Sequence, residues 1–344
     1  MEVVFMVSKK DDFVIENGIS EINSIKIGGI NQSILIQGEN LTKPVLLFLH
    51  GGPSLPLPGV SSRGSNYTIV TDTKELVKHF IVVFWDQRGT GKSYHKSIPK
   101  HSMTFSQFVS DTVELTDYLR NRFDKEKIFL VGHSWGSLIG LKAVSEYADK
   151  FYSYIGLSQI VSWTENDRLG LLWAKNESKR RNNKKAIRQL NSVGEPPFDK
   201  NFKQWGVLRK WQQRFGTIIY SDDLIKGPSL FSITISMLKS KDYSLKDMYH
   251  TFYKGFKLVY SDDFIKEIQT INFCETTKKI DIPVTFIHGT KDIHVFGELL
   301  QSYYTQLDAV KGKRIIWMDK SGHVFHPEDT SNIERHLIEE LKHI

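Results

Sequence analysis

A single cysteine, Cys274, occurs in the 344 residues, which excludes an internal disulfide framework and fits a reducing, cytoplasmic setting. No apolar run approaches the ~20 residues of a membrane-spanning helix, so no membrane span is expected. The opening Met1-Glu2-Val3-Val4-Phe5-Met6-Val7 is too short for a signal-peptide core, starts with an acid and meets Lys9 and Lys10 at once. It reads as a frayed or docked tail. Internal repeats and low-complexity tracts are also lacking. Charge is unbalanced, with a formal net value of +7, which raises the question of nucleic acid or anionic membranes. The densest basic run, Lys179-Arg180-Arg181-Asn182-Asn183-Lys184-Lys185, has no interleaved aromatics and reads as a solvated helix face. No nucleic-acid partner is therefore expected.

What is present is ordinary globular material, 40% hydrophobic and 25% charged, in a chain long enough for one large domain with an insertion or for two domains. Ile25-Lys26-Ile27 and Ser33-Ile34-Leu35-Ile36 read as an antiparallel pair around a turn at Gly28-Gly29. Val45–Leu49 and Ile81–Trp85 are unbroken apolar runs, as expected of central strands covered on both faces. Between residues 105 and 119 an amphipathic helix places Phe105, Phe108, Val109, Thr112, Thr116 and Leu119 on one stripe, with Asp111, Glu114 and Asp117 facing away. Tyr154–Leu157 is a sixth strand. From residue 162 to 280 the pattern becomes helical, with breakers at Gly194-Glu195-Pro196-Pro197 and Gly227-Pro228, and strands resume at Ile282–Ile287 and Arg314–Met318. The expected class is α/β: a mostly parallel central sheet over 22–161 and 281–344, with a helical cap, 162–280, inserted after the sixth strand.

The chemistry centres on Ile128-Phe129-Leu130-Val131-Gly132-His133-Ser134-Trp135-Gly136-Ser137, a buried strand, a sharp turn and a helix start. Such a turn thrusts the Ser134 hydroxyl outward, and side chains at positions 132 and 136 would collide. A serine hydroxyl needs a base, and the base an orienting acid, just beyond the carboxyl ends of later strands. Asp292 follows the strand ending at Ile287, and His323 follows the one ending at Met318. His326 competes for the base role, and Asp262 or Asp263 for the acid; the tighter loop Ser321-Gly322-His323 favours His323. Two backbone N–H groups should receive the oxyanion: Trp135, after the nucleophile, and Gly52 in His50-Gly51-Gly52-Pro53, with Gly51 as alternate. His50 is expected to bond within its own loop, and Asp86 with Arg88 to form a buried ion pair bracing it. His288, Asp292 and His294 also have the makings of a metal cluster, but the triad explains them better and no metal is expected.

His50-Gly51-Gly52-Pro53, Asp86-Gln87-Arg88-Gly89-Thr90-Gly91-Lys92-Ser93 and Gly132-His133-Ser134-Trp135-Gly136-Ser137, in that order, resemble the α/β-hydrolases of the prolyl iminopeptidase type. The resemblance covers the chain from about residue 25 and implies the α/β-hydrolase fold, a serine hydrolase under a helical cap, no metal or organic cofactor, and a small or short peptide substrate with a free N-terminal residue. It also implies cap carboxylates that hold the substrate ammonium, often marked by a Trp-Glu pair. Here the tryptophans stand in Gln204-Trp205-Gly206 and Lys210-Trp211-Gln212, without that pair. Trp205, Trp211 and Glu195 are the expected substrate contacts, with Glu177, Asp222 and Asp223 as further carboxylates and Trp163 and Trp173 as further aromatics. Three functions stay open: an aminopeptidase working through an acyl-enzyme, a carboxylesterase with the same machinery, and a low-turnover ligand-binding protein on the same fold.

Overall fold

The computed structural model describes residues 11–200, 202–216, 220 and 230–344. The tail at Met1–Val7, the carboxylates Asp222 and Asp223, and the breaker Gly227-Pro228 lie outside the described residues. Among the described residues one sheet has eight strands: β1 (Ile19–Ile27), β2 (Ile30–Gly38), β3 (Val45–Leu49), β4 (Ile81–Asp86), β5 (Ile128–His133), β6 (Phe151–Leu157), β7 (Val284–Gly289) and β8 (Lys313–Met318). The spatial order is β1-β2-β4-β3-β5-β6-β7-β8. β1 pairs antiparallel with β2, and β2 antiparallel with β4; every later pairing is parallel.

β3, β4, β5 and β7 are buried along their whole length, which is why their sequences are dominated by apolar residues. Alternate residues feed two separate cores. Leu47, Leu49, Val83, Trp85 and Leu130 pack on one face with helices α1 (Phe105–Phe123) and α2 (Trp135–Glu146). Leu46, Phe48, Val82, Phe84, Phe129 and Val131 pack on the other, where the carboxyl-terminal helix also lies. The strand order reverses at β3, which has β4 on one side and β5 on the other. Leu49 is in register with Gly132, so the loops leaving β3 and β5 emerge side by side, and ligands of open α/β sheets bind at such a switch point.

Among the described residues between β6 and β7 the chain is mostly helical, apart from a two-residue strand, Lys279–Ile280, that pairs with Asp308–Ala309. It forms α3 (Trp163–Arg180), α4 (Lys184–Ser192), α5 (Phe202–Phe215), α6 (Leu230–Lys239), α7 (Leu245–Tyr249) and α8 (Asp262–Gln269), and α7 runs on through a π-helical turn, His250–Gly255. α9 (Gly297–Gln306) and α10 (Pro327–Glu339) return to the sheet. The inserted helices have a core of their own, with Leu171, Ala174, Leu190, Leu208, Trp211 and Phe215 in it. The basic run at 179–185 is solvated, and Arg180 and Arg181 both bind Glu177.

Two expectations are corrected. Asp111 does not face away from the core: it is fully buried and receives Arg88 Nε at 2.8 Å and Nη2 at 2.9 Å, with Gln32 and Gln107 amides each at 2.7 Å. Arg88 is therefore not the partner of Asp86. The Asp86 carboxylate instead accepts from the Val60 N–H (2.8 Å), the Lys92 N–H (2.9 Å) and the Tyr243 hydroxyl (2.9 Å). The reason is that β4 ends at Asp86, so the rule that residues two apart share a face stops there. Burial pushes the Asp86 carboxyl up to about 6 against the pull of those donors.

The Arg88–Asp111 pair ties the loop after β4 to α1. Asp111→Ala should lower unfolding free energy by about 3–5 kcal/mol, because it leaves a buried guanidinium uncompensated. Urea denaturation measures this, and a change within experimental error would contradict the assignment.

Candidate active site

The turn from β5 into α2 holds Ser134 at φ 53° and ψ −115°, a conformation that only a tightly packed turn imposes on a serine. There is no space beside it. A Cβ on Gly132 would fall 2.5 Å from the Gly136 carbonyl oxygen, and one on Gly136 would fall 2.1 Å from that of Leu49. The Ser134 N–H donates to the Leu157 carbonyl (2.9 Å), and its own carbonyl accepts the Ser137 hydroxyl (2.5 Å).

The Ser134 hydroxyl lies 2.9 Å from His323 Nε2, and His323 Nδ1 lies 2.8 Å from Asp292 Oδ2. Asp292 Oδ1 accepts the N–H groups of His294 (2.7 Å) and Val295 (2.9 Å), which fixes the carboxylate's orientation. Burial by itself would raise the Asp292 carboxyl; attraction to His323 and the hydrogen bonds it accepts reverse the sign and hold it below the ordinary carboxylate range. His326 is elsewhere in the network. Its Nδ1 accepts the Glu328 N–H and so caps α10, leaving His323 beside the serine. Asp262 and Asp263 are exposed in the first turn of α8.

The loop after β3 is braced from several directions. His50 Nδ1 donates to the Gly51 carbonyl (2.6 Å), within its own loop as expected, while Nε2 accepts the Gln87 N–H (3.2 Å). Burial lowers the His50 pKa to about 4, so it stays neutral in this tautomer. Gln87 also donates to the His50 carbonyl and accepts the Trp135 indole N–H, both at 3.1 Å. Gly52 sits at φ +120°, and a Cβ there would fall 2.3 Å from the Ser54 nitrogen. A Cβ on Gly51 would come within 3.3 Å of Ser134 Cβ, a measure of how closely this loop approaches the serine. Trp135 is the first residue of α2, where the N–H has no intrahelical acceptor.

Ser134 and His323 open into a cavity of about 520 Å³. Its aromatic wall includes Trp163, Phe202, Trp205, Phe256 and Tyr260. Trp205 is stacked between Trp163 (6.2 Å) and Tyr260 (5.5 Å), with the Arg209 guanidinium 4.9 Å over its ring. Arg209 is held by the buried Asp167 at 2.5 Å. Trp211 is a correction: only 2% exposed, it faces the inserted helices' own core and donates to Gln189 (3.0 Å). Six residues along a helix are about two-thirds of a turn beyond a full one, so positions 205 and 211 look in different directions. Glu195 is a second correction, lying exposed and paired with Lys175 at 2.7 Å, away from the cavity. Glu177 is taken by its two arginines, and Trp173 packs at the edge of the helical core. Among the described residues no carboxylate lines the cavity.

Several side chains at the site carry no local sequence mark. Tyr260 donates its hydroxyl to the Gly52 carbonyl (2.8 Å). Asn166 donates to the His294 carbonyl (2.6 Å) and accepts the Phe296 N–H (3.0 Å), and Gln212 donates to the Ile293 carbonyl (2.7 Å). His133, adjacent to the serine in the motif itself, donates Nε2–H to the His323 carbonyl (3.1 Å), and burial lowers its pKa to about 3. His288 Nε2 donates to the Val295 carbonyl at 3.1 Å and lies 3.9 Å from Asp292, so this ring also serves the acid's loop.

Residues 69–247 match the protein family described as serine aminopeptidase, S33. The chain is 30% identical over 336 residues to a Bacillus subtilis (strain 168) protein named probable aminopeptidase YbaC, covering 95% of this chain and 98% of that one. It is 28% identical over 127 residues to the proline iminopeptidase of Lactobacillus delbrueckii subsp. lactis, covering 37% and 40% of the two chains. Among solved structures it is similar to the epoxide hydrolase VrEH1 from Vigna radiata, with a TM-score of 0.57 at 19% identity, over 94% of this chain and 98% of that one. That likeness shows the α/β-hydrolase fold.

The Asp292 carboxyl titrates lower in the folded chain than the roughly 3.9 of an unfolded one. Its ionised form thus contributes stability at neutral pH, and that contribution is lost as pH falls below about 4 toward the folded value. Asp292→Asn should therefore destabilise the protein at neutral pH and less so at about pH 3, as read from urea midpoints. An equal loss at both would overturn the assignment.

Proposed function

The chain belongs to the serine aminopeptidase (S33) family of α/β-hydrolases and is a hydrolase; from that premise we propose that it cleaves a small amide or peptide after its N-terminal residue through an acyl-enzyme. The observation that carries the reading is the unbroken chain from Ser134 through His323 to Asp292, with links of 2.9 and 2.8 Å, on the floor of the aromatic cavity. Ser134 Oγ attacks the substrate carbonyl as His323 Nε2 takes its proton. Asp292 holds the other ring nitrogen protonated and stabilises the imidazolium that forms. The developing oxyanion is received by the N–H groups of Trp135 and Gly52, with Gly51 as the alternate donor; one such donor is typically worth about 3 kcal/mol in the transition state. His323 then returns its proton to the leaving amine, and water repeats the sequence on the acyl-enzyme. The helical segment 162–280 acts as the cap, with Trp205 against the acyl portion.

The cavity also supports a second reading. Asp167, a buried carboxylate behind the wall, is engaged by Arg209 and Gln269, and the charged side chains at the lining among the described residues include Arg209 and Lys210. That lining favours a neutral acyl group, as in a carboxylic ester, over an ammonium. A low-turnover binding protein has less support, because binding alone gives no reason to align a base on Ser134. The aspartate-nucleophile chemistry of epoxide hydrolases has none here, since position 134 is serine.

A fluorophosphonate probe should label the wild-type protein and not Ser134→Ala, with hydrolysis by the variant down by at least about 10⁴-fold. Labelling that survives the substitution would sink the mechanism. Proline arylamide compared with short nitrophenyl esters separates peptidase from esterase, and cleavage of esters alone selects the second reading. Tyr260→Phe should lower kcat roughly tenfold with KM little changed, because the Gly52 carbonyl loses its anchor.

A further inference from the structure

The segment from Leu245 to Lys257 breaks the usual rule for a helix on a protein surface. Its buried side is conventional, with Asp247, Met248, Thr251 and Gly255 turned inward. Its outer side carries Leu245 at 76% exposure, Tyr249 at 48%, Phe252 at 44% and Tyr253 at 45%, a run of large apolar groups in contact with solvent. Lys246, Lys254 and Lys257 are exposed among them.

Among the described residues no ion pair with a carboxylate holds these lysines; Lys254 and Lys257 lie against rings, and Lys257 Nζ donates to the Tyr253 hydroxyl at 2.9 Å. Lys254 Nζ is 5.8 and 5.9 Å from the centroids of Tyr249 and Tyr253, and Lys257 Nζ is 4.2 Å from that of Tyr253. The segment's acid, Asp247, is turned inward to cap Ser244 and bind Lys92. The outer face is thus cationic and aromatic. It is also continuous with the catalytic cavity, because Phe252 is both exposed and part of the cavity lining, beside Phe256.

We propose that the Leu245–Lys257 face docks on an anionic phospholipid surface, with the cavity mouth turned toward it. Tyrosines place a ring in the acyl boundary and a hydroxyl among headgroups, and lysines reach past them to phosphate. A helix lying in the interface in this way needs no span, and among the described residues no helix is long and apolar enough to cross a membrane. Leu245 distinguishes the partner. An aliphatic side chain this exposed gains from hydrocarbon and offers nothing to a stacked base. Phe252 then provides an apolar path from the interface to Ser134.

The test is cosedimentation of the full chain with phosphatidylcholine vesicles and with vesicles of phosphatidylcholine and phosphatidylglycerol. Binding should require the anionic lipid and weaken as salt is raised. Each lysine near such a surface is worth roughly fivefold, so Lys246→Gln/Lys254→Gln/Lys257→Gln should reduce partitioning at least about tenfold. Leu245→Ser/Tyr249→Ser should also reduce it. None of these five residues lines the cavity, so fluorophosphonate labelling and hydrolysis of a soluble substrate should match wild type, which also reports that the variants fold. Partitioning is read without turnover, so an inactive protein would still answer the question. Equal binding to both vesicle types, unchanged binding by the lysine variant, or capture of a single-stranded oligonucleotide lost with the same lysines would overturn the proposal.

Discussion

Everything at the candidate site depends on how closely α2 approaches the ends of β3 and β5. Gly136 passes so near the Leu49 carbonyl that not even a methyl group fits, and Gly132 faces Gly136 at similar range. That contact forces Ser134 into its strained backbone conformation and brings the His50–Gly52 loop alongside it. The strain is sustained by two fully buried strands and by the helix packed across them. The serine's position is thus a by-product of sheet packing.

The same geometry explains what could be read from the sequence. β3, β4, β5 and β7 are covered on both faces, so each is largely apolar, broken early only in β7 by Thr285, and needs no tertiary knowledge to find. Ser134 and Asp292 stand just beyond two such runs, and His323 stands a few residues beyond β8, which is only half-buried but carries Ile315, Ile316 and Trp317 in sequence. Where strand ends are legible, the residues just past them are too, and the structure brings these three within hydrogen-bonding distance.

Helices are less transparent. Trp205 and Trp211 share a helix and a residue type, and only the packing of α5 decides which looks into the cavity. Asp111 reads as a solvent-facing charge until Arg88, on another element, arrives beside it in the core. Tyr260, Asn166 and Gln212 act through one or two hydrogen bonds to distant loops, and nothing in their neighbours' identity marks them.

Those bonds have a consequence for how such a chain can diversify. Tyr260 holds the loop of Gly52, while Asn166 and Gln212 hold the loop that carries Asp292, and all three belong to the segment inserted between β6 and β7. The insertion is therefore not an interchangeable part. Helices put in its place would have to supply these donors as well as a cavity wall. Phe202 and Phe256, by contrast, shape the cavity with their rings and anchor neither loop, so the wall there is separable from the alignment of the triad.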